Sequence, residues 1–122
     1  MVAPETEGSG VLNSNGQAVS LSVFFPCYNE QDNLQRVYEA ADKVLKSMKI
    51  DYEIIIVNDG SKDGTGRTAD AIAANDNRVK AVHHPENRGY GAALQSGFRA
   101  ATKQLVFYTD GDGQFDLNEM PP

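Results

Sequence analysis

Short apolar runs alternate along this chain with stretches in which apolar residues recur every third or fourth position. Val19–Phe25 is a run of β-formers closed by Pro26. Gln31–Met48 places Leu34, Val37, Tyr38, Ala41, Val44, Leu45 and Met48 on one helical face, with Asn29 as the expected N-cap and Asp32 favouring the first turn. Tyr52–Val57 is a second strand, and its Ile54-Ile55-Ile56-Val57 core is apolar on both faces, as in a parallel strand covered by helices on each side. A helix over Gly64–Ala74, a short strand at Val79–Val82, a helix over Gly89–Thr102 and a strand at Leu105–Tyr108 follow. The third helix carries Tyr90, Ala93, Leu94, Gly97, Phe98 and Ala101 as its apolar stripe. This βαβαβαβ series implies right-handed crossovers and one parallel, nucleotide-binding type of sheet. Successive crossovers give the spatial order 3-2-1, and a fourth strand beside the first gives 3-2-1-4 with helices on both faces and a ligand crevice at the switch point.

Composition narrows the function. A chain of 122 residues, 40% hydrophobic, has room for one ordinary globular domain. The formal charge of −6 argues against a nucleic-acid partner, which would call for a basic face. The single cysteine, Cys27, allows no internal disulfide and fits a reducing compartment. No apolar run approaches the roughly 18–20 residues that span a bilayer, and the start lacks the basic and apolar regions of a signal peptide. A cytoplasmic protein is the expectation. Residues 1–18, rich in Gly, Ser, Asn and Glu, read as a flexible leader, which leaves 19–122 as the folded part.

The chemistry-bearing residues fall where strands end and helices begin. Pro26-Cys27-Tyr28-Asn29-Glu30 leaves the first strand, Asn58-Asp59-Gly60-Ser61 the second, and Asp110-Gly111-Asp112-Gly113-Gln114 the fourth. Three loops on one sheet edge can converge on one ligand. Glu30 or Asp59 could accept hydrogen bonds from a nucleobase with Tyr28 against its ring; equally, Asp59 could be a turn-former and Glu30 a favourable charge at a helix start. Asp110 and Asp112 supply two hard oxygen ligands that a turn at the intervening glycines can bring together, suited to Mg²⁺ or Mn²⁺ on a diphosphate. Cys27 reads as a small buried hydrophobe, and His83-His84, a poor metal pair in extended chain, as surface or capping residues.

Three lookalikes fail on context. Gly89-Tyr90-Gly91 follows the third strand and has Leu94 where a dinucleotide fingerprint has Gly or Ala. Asp59–Asp70 mimics a calcium loop, yet follows a strand and has Gly66 at the apolar anchor position. Asp110-Gly111-Asp112 resembles the nucleophile loop of haloacid-dehalogenase-type phosphatases, which should open a domain and here comes late. That phosphatase and a non-catalytic nucleotide-binding module remain the alternatives.

Taken in order, Phe25–Glu30, Ile55–Thr65, Asn87-Arg88-Gly89 with Ala92 and Gly97, and Asp110–Gln114 resemble family 2 glycosyltransferases of the GT-A fold, and more narrowly the polyprenyl-phosphate sugar transferases of the dolichol-phosphate mannose synthase type. The resemblance covers residues 20–120. It implies an inverting transfer from a GDP- or UDP-linked sugar, with Pro26, Tyr28, Glu30 and Asp59 lining the nucleoside pocket. It further implies Asp110 and Asp112 on a divalent metal at the diphosphate, Gln114 close by, a lipid-phosphate acceptor, and a parent at the cytoplasmic face of a membrane. The family's catalytic domain is about twice as long, so the expectation is a Rossmann-like donor-binding half, inactive alone, with an uncovered fourth-strand edge that invites self-association.

Overall fold

The computed structural model describes residues 19–109; residues 1–18, expected to be a leader, and the carboxylates Asp110 and Asp112 with Gln114 lie outside the described residues. Seven elements follow in order: β1 (Ser20–Cys27), α1 (Gln31–Met48), β2 (Asp51–Asn58), α2 (Thr65–Asn75), β3 (Val79–His83), α3 (Tyr90–Ala100) and β4 (Leu105–Tyr108). They build one parallel sheet in the order β3-β2-β1-β4, as the crossover argument requires.

The alternation of side chains along a strand sorts the core into two layers. Val23, Phe25 and Cys27 of β1 with Ile54 and Ile56 of β2 face α1 and α2, meeting Leu34, Val37, Ala41, Leu45, Ala69 and Ile72. Phe24, Ile55 and Val57 face the other way, toward Ala93 of α3. Gly97 gives α3 its close approach, since a Cβ there would stand 2.3 Å from the Phe24 ring. Phe24 is also packed edge-on by Phe98 and stacked by Tyr108, with centroids at 5.1 and 5.4 Å.

Several local expectations are corrected. β1 does not close at Pro26 but runs through it to Cys27. The Phe24 carbonyl accepts the Thr109 N–H on the β4 side, whereas the Cys27 carbonyl accepts the Asp59 N–H on the β2 side. Pro26 shares the parity of Phe24 and lies beyond the last paired residue of β4, so its missing N–H costs no ladder bond to β2. The N-cap of α1 is Glu30, not Asn29. Asn29 takes a left-handed φ of 55° and instead links two loops, donating its N–H to Ser61 Oγ and accepting the Lys62 N–H on Oδ1. The stripe on α3 is only partly buried: Ala93 and Gly97 are covered, while Tyr90 and Phe98 are 55% and 49% exposed.

Two acidic residues invisible to the hydrophobic pattern complete the core. Asp42, among the buried residues of α1, accepts the Tyr52 hydroxyl at 2.7 Å. Glu53 on β2 lies beside Ser22 in the sheet register. It accepts hydrogen bonds from Ser22 Oγ and from the N–H and hydroxyl of Thr102, and pairs with Lys80 at 2.9 Å. Lys80 also donates to the Ala100 carbonyl, so the carboxyl end of α3 is tied to the sheet. Among the described residues no helix is long and apolar enough to cross a membrane.

Candidate nucleotide-binding site

The loops after β1, β2 and β3 meet at the carboxyl edge of the sheet because all three strands run in the same direction. They interlock through side chains that serve a neighbour's backbone. The Asp63 carboxylate accepts the Gln31 N–H at the start of α1, and the Gln31 amide in turn accepts the Gly64 N–H. Thr65 Oγ1 accepts the Glu30 N–H. Each loop thereby satisfies orphan donors of the other's helix. Gly60, at φ +70°, presses against the backbone of the β3–α3 loop, where a Cβ would lie 2.1 Å from the Glu86 carbonyl carbon.

Between these loops opens a cleft of about 250 Å³, lined by Pro26, Cys27, Tyr28, Asp59, Asn87, Gly89, Tyr90 and Ala93. Of the sequence candidates, Pro26, Tyr28 and Asp59 are brought together here. Glu30 is not in the lining; as N-cap of α1 it accepts the Asn33 side-chain amide at 3.2 Å. Asn87 and Tyr90 were not among the candidates, although Asn87 stands in the Asn-Arg-Gly motif; only the return of the β3–α3 loop to the end of β1 places them in the wall. Tyr28 and Tyr90 are 41% and 55% exposed and offer aromatic surface at the cleft.

Asp59 is 4% exposed, and its carboxylate accepts three hydrogen bonds within the wall. Oδ1 accepts the Arg88 N–H at 2.8 Å and His84 Nδ1 at 2.7 Å, and Oδ2 accepts the Gly89 N–H at 3.0 Å. Burial alone would raise its pKa, but these donors outweigh burial and hold it below the ordinary carboxylate range. Asp59 is therefore a fixed negative charge at the start of α3, where a helix end favours one. Of the two histidines expected at the surface or in a cap, His83 is exposed, whereas His84 is 7% exposed and hydrogen-bonded through both nitrogens. Asp59 and Asp63 bind the starts of different helices, so the calcium-loop spacing does not make a shared ligand set. Burial and the neighbouring Glu30 charge push the Cys27 thiol up to about 12, leaving it protonated and unreactive in the cleft floor.

Among the described residues no group of three or more His, Cys, Asp or Glu side chains forms a metal site. β4 ends level with Phe24, two positions before Pro26. The chain leaves the sheet there at Thr109, and Asp110 follows directly.

The model of glycosyl transferase family 2 matches residues 22–122. The chain belongs to this family. The undecaprenyl-phosphate 4-deoxy-4-formamido-L-arabinose transferase of Proteus mirabilis is 35% identical over 102 residues, covering 83% of this chain and 31% of that protein. Among solved structures, a mannosyltransferase of Pyrobaculum calidifontis in complex with GDP-Man and Mn²⁺ superposes with a TM-score of 0.61 at 27% identity, over 75% of this chain and 27% of the other. Glucosyl-3-phosphoglycerate synthase of Mycobacterium tuberculosis, with Mn²⁺, UDP and glucosyl-3-phosphoglycerate, gives 0.60 at 26% identity, over 77% and 34%. The chain thus spans about a third of the length of the curated relatives it matches. Family membership displaces the phosphatase alternative for Asp110 and Asp112.

Proposed function

We propose that residues 19–122 form the donor-binding part of a glycosyltransferase that takes a sugar from GDP or UDP and passes it, with inversion, to a polyprenyl phosphate. The observation that carries this reading is the convergence of Pro26, Tyr28 and Asp59 on one cleft at the carboxyl edge of the sheet. In this reading Tyr28 packs the base. Asp59, with about four acceptor positions on an ionised carboxylate and three in use, takes a ring N–H that both guanine and uracil offer. Glu30 stands outside this lining, with its Oε1 accepting the Asn33 amide.

Asp110 and Asp112, with Gln114 beside them, are the residues that would hold Mg²⁺ or Mn²⁺; two hard carboxylates one residue apart suit either ion. When bound, such a cation supplies positive charge against the departing nucleoside diphosphate. The acceptor phosphate oxygen attacks the anomeric carbon as the carbon–oxygen bond to the nucleoside diphosphate breaks. Already an anion, this acceptor places little demand on a general base. A lipid acceptor puts the whole enzyme at the cytoplasmic face of a membrane.

Calorimetry with GDP and with UDP, each in Mn²⁺ and in EDTA, tests the reading. Binding should require the metal, Asp110→Ala or Asp112→Ala should remove most of that requirement, and Asp59→Ala should weaken nucleoside binding about tenfold through one lost charge-assisted hydrogen bond. Equal affinity in EDTA sinks the metal role.

The same reading includes self-association. Leu105, Val106 and Tyr108 of β4 are 42%, 39% and 42% exposed at the edge of the sheet that the described residues form, which favours pairing with another chain. Light scattering should show a mass that rises with concentration; a monodisperse monomer at high concentration counts against it.

A further inference from the structure

A hydrogen-bonded relay runs from Ser96 on α3 through His84 to Asp59, and neither the fold nor the donor reading uses it. Ser96 Oγ lies 2.7 Å from His84 Nε2, and His84 Nδ1 lies 2.7 Å from Asp59 Oδ1. We infer that His84 is the positioning residue for nucleoside recognition, holding the Asp59 carboxylate at the angle in which its remaining lone pair meets the base, with Ser96 as its anchor. This rests on Asp59 being the nucleoside acceptor.

The chemistry of the donors fixes the direction of the relay. An ionised carboxylate only accepts, so Nδ1 of His84 carries the proton; in the Nδ1–H tautomer Nε2 accepts the hydrogen bond of the Ser96 hydroxyl. The same three residue types make the relay of serine hydrolases, where the serine end faces the substrate. Here the cleft is lined by Asp59 and not by Ser96. The open end is thus an oriented acceptor, suited to an N–H of a ligand rather than to nucleophilic attack.

His84 also offers what the other two donors to Asp59 lack. Arg88 and Gly89 donate from the β3–α3 loop, whose residues 85–88 are all exposed. The His84 side chain is 5% exposed, and its backbone N–H is bonded to the Asn58 carbonyl at 2.9 Å. The imidazole is therefore referenced to the sheet itself. A carboxylate held only by loop N–H groups would follow the loop; held by His84, it stays with β2. A site whose contacts are locked by a rigid second layer binds with less ordering cost.

The test compares GDP, UDP and inorganic pyrophosphate, each with Mn²⁺, on the 122-residue chain and on His84→Ala, His84→Asn and Ser96→Ala, with thermal melts to establish that each variant is folded. His84→Ala should lose about tenfold in nucleotide affinity while its pyrophosphate affinity stays the same. His84→Asn, which keeps a donor near the Nδ1 position, should recover most of the loss, and Ser96→Ala should lose a few-fold. Unchanged nucleotide binding in His84→Ala, or an equal loss for pyrophosphate, overturns the inference. A nucleotide-independent measurement separates it from the donor reading: long-range ¹H–¹⁵N spectra should show His84 protonated at Nδ1, with that resonance displaced in Asp59→Asn. Protonation at Nε2 alone overturns the inference. If the unsubstituted chain prefers neither nucleotide over pyrophosphate, the donor reading fails, and the positioning role fails with it even where the tautomer stands.

Discussion

Gly60→Ala is expected to destabilise the chain by about 3 kcal/mol or more and to deform the cleft. Two costs add. The left-handed φ of +70° costs an L-residue about 1–2 kcal/mol. The added Cβ would stand 2.1 Å from the Glu86 carbonyl carbon and 2.2 Å from the Asn87 nitrogen. Both are backbone atoms, so no side-chain rotation relieves the overlap, and overpacking of this kind adds about 1–3 kcal/mol. The loop that must retreat also carries Arg88 and Gly89, the N–H donors to Asp59; nucleotide binding should fall with stability. Gly91→Ala is the control, because a Cβ there meets nothing within 4 Å and alanine favours a helix by up to about 1 kcal/mol. Urea denaturation of the two variants should show midpoints moving in opposite directions. A Gly60→Ala midpoint equal to that of the unsubstituted chain would mean that the two loops do not pack as described.

The second large effect is expected at Glu53. Burial by itself would raise its pKa, but hydrogen bonds from Ser22, Thr102 and Lys80 bring it down to about 2, from an ordinary 4.5. A carboxylate lowered on folding stabilises fully above its unfolded pKa and loses that contribution as pH falls toward the folded value. The window is therefore pH 4.5 down to about 2, and the shift corresponds to about 3 kcal/mol at neutral pH. Glu53→Ala should remove about that much, leaving Ser22, the Thr102 N–H and Lys80 without their acceptor; the exposure of Lys80 keeps the loss at the low end for a broken buried pair. Urea denaturation from pH 7 to pH 2 checks both claims: the gap between Glu53→Ala and the unsubstituted chain should narrow through the window. A gap that stays constant to pH 2 would show that the charge of Glu53 does not contribute.

These two positions mark where a linear reading stops. Gly60 appears in sequence as an ordinary turn glycine after Asp59; its demand for a missing Cβ comes from a loop 26 and 27 residues away, at Glu86 and Asn87. Glu53 appears as a polar break at the start of an apolar run. Its partners Ser22, Lys80 and Thr102 come from three other segments that only the sheet register and the return of α3 place around it. Together Asp59 and Glu53 fix both ends of α3, the first at Gly89 and the second at Thr102.

The sequence by itself determined the element order, the parallel sheet, the strand order 3-2-1-4 and the family, since these follow from local periodicity, crossover handedness and motifs read in line. It also placed Pro26, Tyr28 and Asp59 on one edge, because every loop that follows a parallel strand emerges there. The tertiary structure alone decided which way side chains point at that edge. Alternation along β1 makes Pro26 tolerable inside a strand, Asn29 yields the cap position to Glu30 in order to join two loops, and His84 turns inward to meet Asp59 and Ser96. The physical reason is range. Hydrophobic pattern and turn chemistry act over a few neighbours and are legible along the chain, whereas the direction of a hydrogen bond is settled by donors and acceptors that folding brings together from 25 or more residues away.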